Sequence, residues 1–438
     1  MFGTDGVRGT PGHDPLDADT VVGLGAAVAA ELGDSPRVVC GRDTRDSGVW
    51  LERQFAAGVH SEGGTFVSVG VMPTPGVSLI AASQAFDAGV VISASHNPHP
   101  DNGIKLLQAT GEKSSREFEK RVEARVRRDS NKVHELLNKP AETTDYMDLY
   151  ADHLIRIVGN TDLSGISLAV DCGHGATSEI APYVMNKLGV SCVKLHTEPN
   201  GHNINQASGS THPEALQRAV VDGRCQVGFG FDGDGDRVIL VDRKGQIVDG
   251  DGVLFIAARY LQASNRLHTN GIVATVMSNF GLEVALAESG IQVHRCPVGD
   301  WHVREEMQRR GVSLGGEQSG HIIFSEFLPT GDGLATALLV LCMLVQSGQS
   351  LDELVADLMI FPQILLNIPV KKKRDIAGVP ELVSAVRNAE QQLTGRGRVL
   401  VRYSGTESLL RIMVEGPEQD TVDSLAAEIA ACAQERLV

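Results

Sequence analysis

The sequence lacks closely spaced cysteines. It has seven, an odd number, and no two of them form a CxxC pair. A disulfide framework is therefore disfavoured, and the placement of most cysteines within apolar runs indicates buried, reduced thiols. The first residues, MFGTD, also lack a basic stretch followed by an apolar one. We therefore expect no secretory signal and a cytoplasmic location.

Long apolar runs and an excess of basic residues are also missing. The longest strongly apolar run, 334–345, is too short to cross a bilayer and predicts a buried helix instead. The formal net charge is −16 at pH 7, which argues against nucleic acid or an anionic membrane as the main partner. An anionic ligand would need a local cluster of basic side chains, backbone N–H groups or metal to attract it against this overall charge.

What the chain does contain is a repeated alternation of strand, loop and helix. Its 438 residues are 42% hydrophobic, which is enough for a packed core and suggests several domains. Alternation of this kind is typical of α/β sheets that bind ligands at the carboxyl ends of their strands. The predicted strands are 36–40, 65–69, 89–92, 166–170 and 272–276, and the predicted helices are 19–32, 49–60, 179–188 and one that ends at 288.

After a boundary at 361–362 the pattern changes. A helix over 380–393, strands over 398–402 and 409–414 and a helix over 419–436 predict a small α+β domain with an antiparallel sheet. We therefore expect three related α/β domains over 1–150, 151–249 and 250–362, followed by this α+β domain over 363–438.

Three aspartates alternate with two glycines in the motif DGDGD at 232–236, directly after the apolar run 227–231. An extended backbone would point the three carboxylates the same way, and they would repel one another unless a cation lay among them. Hard oxygen ligands in a compact loop suit Mg²⁺. An EF-hand does not fit, because Arg237 and Arg243 stand where its loop glycine and final glutamate are required. An acidic hairpin turn is the structural alternative.

A second motif, SASHNP at 93–98, follows a predicted buried strand, with Lys105 further along. A serine hydroxyl needs a base or an electrophile to react, and a metal together with His96 and Lys105 could supply them to Ser95. The motif lacks the flanking glycines of a hydrolase nucleophile elbow. The alternative is a serine turn ended by its proline.

Three further loops have the composition of sites for anions or sugar hydroxyls. The loop FGTDGVRG at 2–9 offers glycine amides and Arg8 to a phosphate. The loop GGEQSGH at 315–321 offers a carboxylate, an amide, a hydroxyl and an imidazole, which suit sugar hydroxyls. The loop RYSGTE at 402–407, followed by Arg411, forms an anion cradle. Each loop taken alone could be an ordinary glycine-rich turn.

Taken together and in this order, the five motifs resemble those of the α-D-phosphohexomutase superfamily over essentially the whole chain. Loops 2–9 and 316–321 resemble more specifically those of its bacterial phosphoglucosamine mutase branch. The resemblance implies three α/β/α domains and a C-terminal α+β domain, related to the TATA-binding-protein fold, around a central cleft. It implies an isomerase that interconverts glucosamine 6-phosphate and glucosamine 1-phosphate, supplying UDP-N-acetylglucosamine and cell-wall synthesis. A phosphoglucomutase or phosphomannomutase, a metal-dependent phosphatase and a non-catalytic sugar-phosphate-binding regulator are the alternatives.

The resemblance also implies roles for individual residues. Ser95 would carry a phosphoryl group, and Mg²⁺ would be bound by a phosphoryl oxygen on Ser95 with Asp232, Asp234 and Asp236. The reacting centre would be lined by Arg8, His96, Lys105 and Arg237, with Lys105 the first and His96 the second candidate for the base. The substrate would be held by Glu317, Ser319, His321, Arg402, Ser404, Gly405, Thr406 and Arg411. Glucosamine 1,6-bisphosphate would be the intermediate and activator. The only partner that the resemblance implies is a small sugar phosphate. It leaves open whether the protein forms a homodimer.

Overall fold

A computed structural model of the chain describes residues 1–3, 5–127, 136–139, 141–404 and 408–437. They form two compact units. The larger comprises Met1–Met277 and Val293–Val355, and the smaller comprises Ser278–Gln292 and the chain from Ala356 onward. Within the described ranges, no helix is long and apolar enough to span a bilayer.

The first sheet of the larger unit has six strands. The elements of this region are β1 (Val7–Gly9), α1 (Ala18–Leu32), β2 (Arg37–Arg42), α2 (Ser47–Ser61), β3 (Thr65–Val71), α3 (Thr74–Ser83), β4 (Ala88–Ile92), β5 (Asn102–Gln108), α4 (Arg116–Arg125) and β6 (Glu142–Thr143). The strand order is β1-β5-β4-β2-β3-β6, and β2 runs parallel to β4. Every residue of β4 is buried, as an uninterrupted apolar run predicts for a central strand. The carboxyl ends of β2 and β4 therefore lie side by side, where the SASHNP motif begins.

The second sheet has five strands in the order β11-β10-β9-β7-β8. The elements are α5 (Met147–Val158), β7 (Ser167–Asp171), α6 (Thr177–Lys187), β8 (Ser191–Leu195), α7 (Glu214–Asp222), β9 (Val227–Phe231), β10 (Val238–Asp242) and β11 (Ile247–Val248). Strands β7, β8 and β9 are parallel, whereas β9 and β10 form an antiparallel hairpin. The DGDGD motif is the connection of that hairpin.

The third sheet has four strands in the order β13-β12-β14-β15. The elements are α8 (Gly250–Ala263), β12 (Gly271–Thr275), α9 (Phe280–Glu288), β13 (Gln292–Cys296), α10 (Asp300–Arg310), β14 (Leu314–Gly316), β15 (Ile322–Phe324), α11 (Gly333–Ser347) and α12 (Leu351–Leu354). Helix α11 is buried from Gly333 to Leu344, so the buried helix predicted from the apolar run is confirmed. The loop 317–321 joins the antiparallel pair β14 and β15.

The last sheet, in the smaller unit, has three antiparallel strands in the order β16-β18-β17. The elements are β16 (Gln363–Pro369), α13 (Pro380–Leu393), β17 (Arg398–Tyr403), β18 (Leu409–Glu415) and α14 (Gln419–Leu437). Leu382, Ile412 and Ile429 belong to the apolar core between the sheet and its helices. The predicted α+β domain is confirmed. Strand β16 was not predicted, because it begins directly after the proline taken as a boundary.

Candidate active site

Ser95 lies in the loop that follows β4, and it is 1% exposed. Its φ of 53° places it in the left-handed region, which a serine seldom occupies. The hydroxyl Oγ donates a hydrogen bond to Asp232 Oδ2 at 2.6 Å and lies 3.3 Å from His96 Nδ1. The backbone N–H of Ser95 donates to Ser93 Oγ at 2.8 Å. The predicted nucleophile therefore faces the aspartate motif of the second sheet.

A buried arginine that the sequence analysis did not single out holds the backbone of this loop. The guanidinium of Arg45 donates four hydrogen bonds of 2.6–3.1 Å to the carbonyl oxygens of Ser95, Asn97, Pro98 and Asp101. Its Nε lies 2.9 Å from Asp43 Oδ2, which also accepts a hydrogen bond from Ser93 Oγ at 2.6 Å. Asp43 and Arg45 lie in the loop that follows β2. Because β2 and β4 are parallel neighbours, the loops at their carboxyl ends meet, and this adjacency could have identified both residues.

Asp232, Asp234 and Asp236 converge through a turn. The alternation of aspartate and glycine predicts an extended backbone, and this is wrong: the loop bends sharply and Gly235 has a φ of 71°. One carboxylate oxygen of each aspartate lies within 4.8 Å of those of the other two, and all three residues are buried. Thr74 Oγ1 orients the second carboxylate by donating to Asp234 Oδ2 at 2.6 Å.

The electrostatics of this triad fit a divalent cation. Burial, followed by repulsion from Asp236 and Asp234, raises the pKa of Asp232 well above its usual value. Among the described residues, Asp234 Oδ1 and Asp236 Oδ1 are buried and have no hydrogen-bond partner. Unpartnered buried carboxylate oxygens are costly unless a hard cation binds them, so the residues present suit Mg²⁺.

Lys105 compensates part of this negative charge. Its Nζ lies 2.8 Å from Asp234 Oδ2, 3.2 Å from Asp5 Oδ2 and 3.7 Å from Asp236 Oδ2. Burial alone lowers the pKa of Lys105, but the three carboxylates outweigh burial and raise the pKa well above its usual value. Lys105 is therefore a buried cation in this arrangement.

Asp5 and Lys113 together link the first loop to the start of α10. It pairs with Arg8, and its Oδ1 lies 2.7 Å from Lys113 Nζ. Burial raises the pKa of Asp5, but Lys105, Lys113 and Arg8 together hold it well below its usual value. Lys113 also lies 3.1 Å from Asp300, at the start of α10. The loop 2–9 suggested a site through its glycines and Arg8 rather than through Asp5, and Lys113 lies outside all five motifs, so neither residue was among the predicted site residues.

His96 is neutral in this surrounding. Its Nδ1 lies 3.3 Å from Arg237 Nη1, and since a guanidinium can only donate, Nδ1 accepts and carries no proton. Burial, together with the charges of Arg237 and Arg8, lowers the pKa of His96 to about 4. Arg237 also donates its backbone N–H to Asp232 Oδ1 at 3.1 Å.

In the loop between β14 and β15, the predicted sugar-binding residues differ in their surroundings. Glu317 is buried, and its Oε1 accepts from Gly299 N at 2.9 Å, whereas Ser319 is exposed. The ring of His321 lies against the triad, with Nδ1 3.5 Å from Asp236 Oδ2. Burial lowers the pKa of His321, but the negative charges of Asp236, Asp300 and Glu317 together outweigh burial and raise it to about 9. A cavity of about 260 Å³ adjoins this ring and is also lined by Lys113, Asp300 and Trp301.

The smaller unit brings two arginines together. Arg402 and Arg411 are directly opposite each other in the register of β17 and β18. Burial and the charge of Arg411 lower the pKa of Arg402, as expected for like charges held side by side. Ser404, two residues after Arg402 in the chain, is buried, and Lys373 Nζ donates to its carbonyl oxygen at 2.6 Å. Such a cluster suits an anion. The predicted residues Gly405 and Thr406 lie outside the described residues.

Four family models match the chain in sequence order, and all four are domains of phosphoglucomutase/phosphomannomutase. The three alpha/beta/alpha domains I, II and III match residues 1–133, 148–245 and 249–360, and the C-terminal domain matches 365–432. The chain belongs to this family, the α-D-phosphohexomutases.

Two relatives extend the comparison over the full length. A phosphoglucosamine mutase of Solibacter usitatus is 45% identical over 98% of this chain and 97% of its own. Another, of Moorella thermoacetica, is 46% identical over the same shares of the two chains.

Solved structures share the fold. A phosphoglucomutase/phosphomannomutase family protein of Burkholderia thailandensis has a TM-score of 0.80 and 24% identity, covering 99% of this chain and 97% of its own. The N-acetylphosphoglucosamine mutase of Aspergillus fumigatus, solved with GlcNAc-6P and magnesium, has a TM-score of 0.65 and 17% identity, covering 100% and 96%.

Proposed function

We propose that the chain interconverts glucosamine 6-phosphate and glucosamine 1-phosphate through phospho-Ser95 and glucosamine 1,6-bisphosphate. The observation that carries the proposal is the contact of Ser95 Oγ with Asp232, 2.6 Å away in a buried carboxylate triad. Full-length relatives that are 45% and 46% identical are named for this activity. We further propose a cytoplasmic enzyme, with domain limits after residues 150, 249 and 362.

The triad and the phosphoserine would share one metal. Asp232, Asp234, Asp236 and a phosphoryl oxygen on Ser95 would hold Mg²⁺, which would neutralise charge on the transferring phosphoryl group. Arg8 and Arg237 supply further positive charge near Ser95, since each lies within 3.4 Å of a side chain of the SASHNP motif. This arrangement stabilises the transition state by position and charge.

The reaction consists of two transfers. The bond between phosphorus and Ser95 Oγ breaks as the free hydroxyl of the sugar phosphate bonds to phosphorus, and this hydroxyl loses its proton to a base. In the second transfer Ser95 Oγ bonds to the phosphorus of the other phosphate as the bond between that phosphorus and the sugar oxygen breaks, and the released sugar oxygen takes the proton back from the base. Lys105 and His96 are the candidate bases: Lys105 must first give up a proton, whereas Nδ1 of His96 already accepts.

The substrate would be bound by its two ends. Arg402, Ser404 and Arg411, with Gly405 and Thr406, would hold the phosphate that is not being transferred. Glu317 and Ser319 would bind hydroxyls of the sugar ring. A half-turn of the sugar roughly exchanges the positions of O3 and O4, so the same two side chains could bind it in both orientations. His321, which contacts Asp236, would orient the metal-binding carboxylate as well as border the sugar.

A substrate comparison tests this proposal. We expect kcat/KM to be highest for glucosamine 6-phosphate among the glucosamine, glucose and mannose phosphates. Ser95→Ala should abolish turnover with added bisphosphate, whereas Ser83→Ala, at an exposed serine, should not change it. A preference for glucose or mannose would contradict the substrate. Release of inorganic phosphate at the mutase rate would indicate a phosphatase, and binding without turnover would indicate a regulator.

A further inference from the structure

Outside the active site, two imidazoles and a carboxylate from separate chain segments meet. His99 Nε2 and His202 Nδ1 lie 2.9 Å apart. Asp46 places Oδ1 3.6 Å from His99 Nε2 and Oδ2 3.8 Å from His202 Nδ1. One ligand atom of each residue lies within 4.8 Å of those of the other two. None of the three belongs to the motifs that carry the proposed reaction.

The backbone holds these side chains in place. Asp46 precedes α2, and its Oδ1 accepts from Ser47 N at 2.8 Å. Its backbone N–H donates to Gly201 O at 3.1 Å, which fixes the loop that carries His202. Asn200 Oδ1 accepts from His202 N at 2.9 Å. The cluster therefore joins the first and second sheets at a point where their loops are already bonded.

We propose that Asp46, His99 and His202 bind a divalent transition metal such as Zn²⁺. Two imidazole nitrogens facing each other need one shared proton, and a metal would satisfy both lone pairs instead. Zn²⁺ binds imidazole nitrogen at about 2.0–2.1 Å, so two such ligands on one tetrahedral ion lie about 3.3 Å apart. The observed separation of 2.9 Å is a few tenths of an ångström short of this value. Imidazole ligands select against Mg²⁺, so this site and the aspartate triad would bind different metals.

A metal at this position would reinforce the phosphoserine loop. His99 follows the SASHNP motif, and His202 lies three residues before Asn205. Asn205 Nδ2 already donates to the carbonyl oxygens of Ser95 and Asn97 at 2.8 and 3.1 Å. The metal would add a second connection between the same two loops, and we expect it to stabilise the folded chain.

Calorimetric titration of the tag-free full chain with Zn²⁺, in millimolar Mg²⁺ to occupy the triad, tests this site. We expect one strong equivalent to bind and to raise the melting temperature. In His99→Gln and His202→Gln the affinity should fall roughly tenfold or more, and the rise in melting temperature should disappear. The control His13→Gln alters an exposed histidine and should behave as the original chain.

Two results would overturn the proposal. The first is no Zn²⁺ binding by the original chain. The second is equal affinity in all four proteins, which would place the ion elsewhere. Melting temperatures without Zn²⁺ verify that each variant is folded. Because the titration does not measure mutase turnover, its failure would leave the proposed reaction unaffected.

Discussion

Ser95 Oγ and Asp232 Oδ2 lie 2.6 Å apart, although 137 positions separate the two residues in the chain. The hydroxyl proton lies between Ser95 Oγ and Asp232 Oδ2. Burial and the neighbouring aspartates raise the pKa of Asp232. Phosphorylation would remove this proton and add negative charge beside three carboxylates. Lys105 compensates only part of this charge, and a bound metal ion would offset the added repulsion, so the phosphoryl group and the metal should bind cooperatively.

Mg²⁺ affinity should therefore depend on the state of Ser95. We expect the phosphorylated protein to bind Mg²⁺ roughly tenfold or more tightly than the dephosphorylated one, measured by calorimetry on both forms. Ser95→Ala should match the dephosphorylated form. Equal affinity in all three proteins would mean that the phosphoryl oxygen is not a ligand.

Arg45 should be required for both stability and turnover. Arg45→Met leaves Asp43 buried without its cation and releases four carbonyl oxygens of the phosphoserine loop. We expect the free energy of unfolding to fall by about 3–5 kcal/mol, as measured by urea denaturation, and kcat to fall in the folded variant. In the double variant with Asp43→Asn, part of the stability should return. A strictly additive loss would contradict the coupling of these two residues.

Compact motifs predicted which residues would lie together, whereas isolated residues were missed. Ser95 and the three aspartates stand in two such motifs, and the structure brings them into contact; their chemical roles stay a prediction. Arg45 reaches carbonyl oxygens about fifty residues away, and backbone carbonyls leave no mark on a sequence. Nor did the DGDGD motif specify how its carboxylates converge, because alternation in a strand and a tight hairpin can bring the same groups together.

The arginine pair should govern phosphate binding. Arg402 and Arg411 are opposed across two strands, and their repulsion decreases when an anion binds between them. Arg402→Gln should raise KM for the sugar phosphate roughly tenfold or more, with no loss of melting temperature. The control Arg387→Gln, on the exposed face of α13, should leave KM unchanged. A normal KM in Arg402→Gln would contradict the assignment.

Asp332 should give stability a pH dependence. It is buried before α11, where its Oδ1 accepts from Tyr150 Oη at 3.0 Å. Burial raises the pKa of Asp332 to about 6, whereas an exposed aspartate has a pKa of about 3.9. Because the folded state favours the protonated acid, the stabilisation is complete below pH about 4 and is lost as the pH rises through about 6.

The substitution Asp332→Asn removes this titration. The original chain loses stability as the pH rises, whereas the variant does not lose it in this way. The difference in free energy of unfolding, variant minus original chain, should therefore rise by about 2–3 kcal/mol between pH about 4 and 7 and then stay level. Chemical denaturation at several pH values measures the difference. Asp222→Asn, at an exposed aspartate, is the control and should show no such rise. A flat difference for Asp332→Asn would show that this carboxyl does not titrate as described.

The intact mass of the protein before and after incubation with glucosamine 6-phosphate tests the phosphoryl-carrier role of Ser95 directly. We expect a population with one phosphate, located by peptide analysis on Ser95, that substrate discharges and glucosamine 1,6-bisphosphate restores. Ser95→Ala should carry no phosphate in any condition. Phosphate on another residue, or a phosphate on Ser95 that neither compound changes, would contradict Ser95 as the phosphoryl carrier.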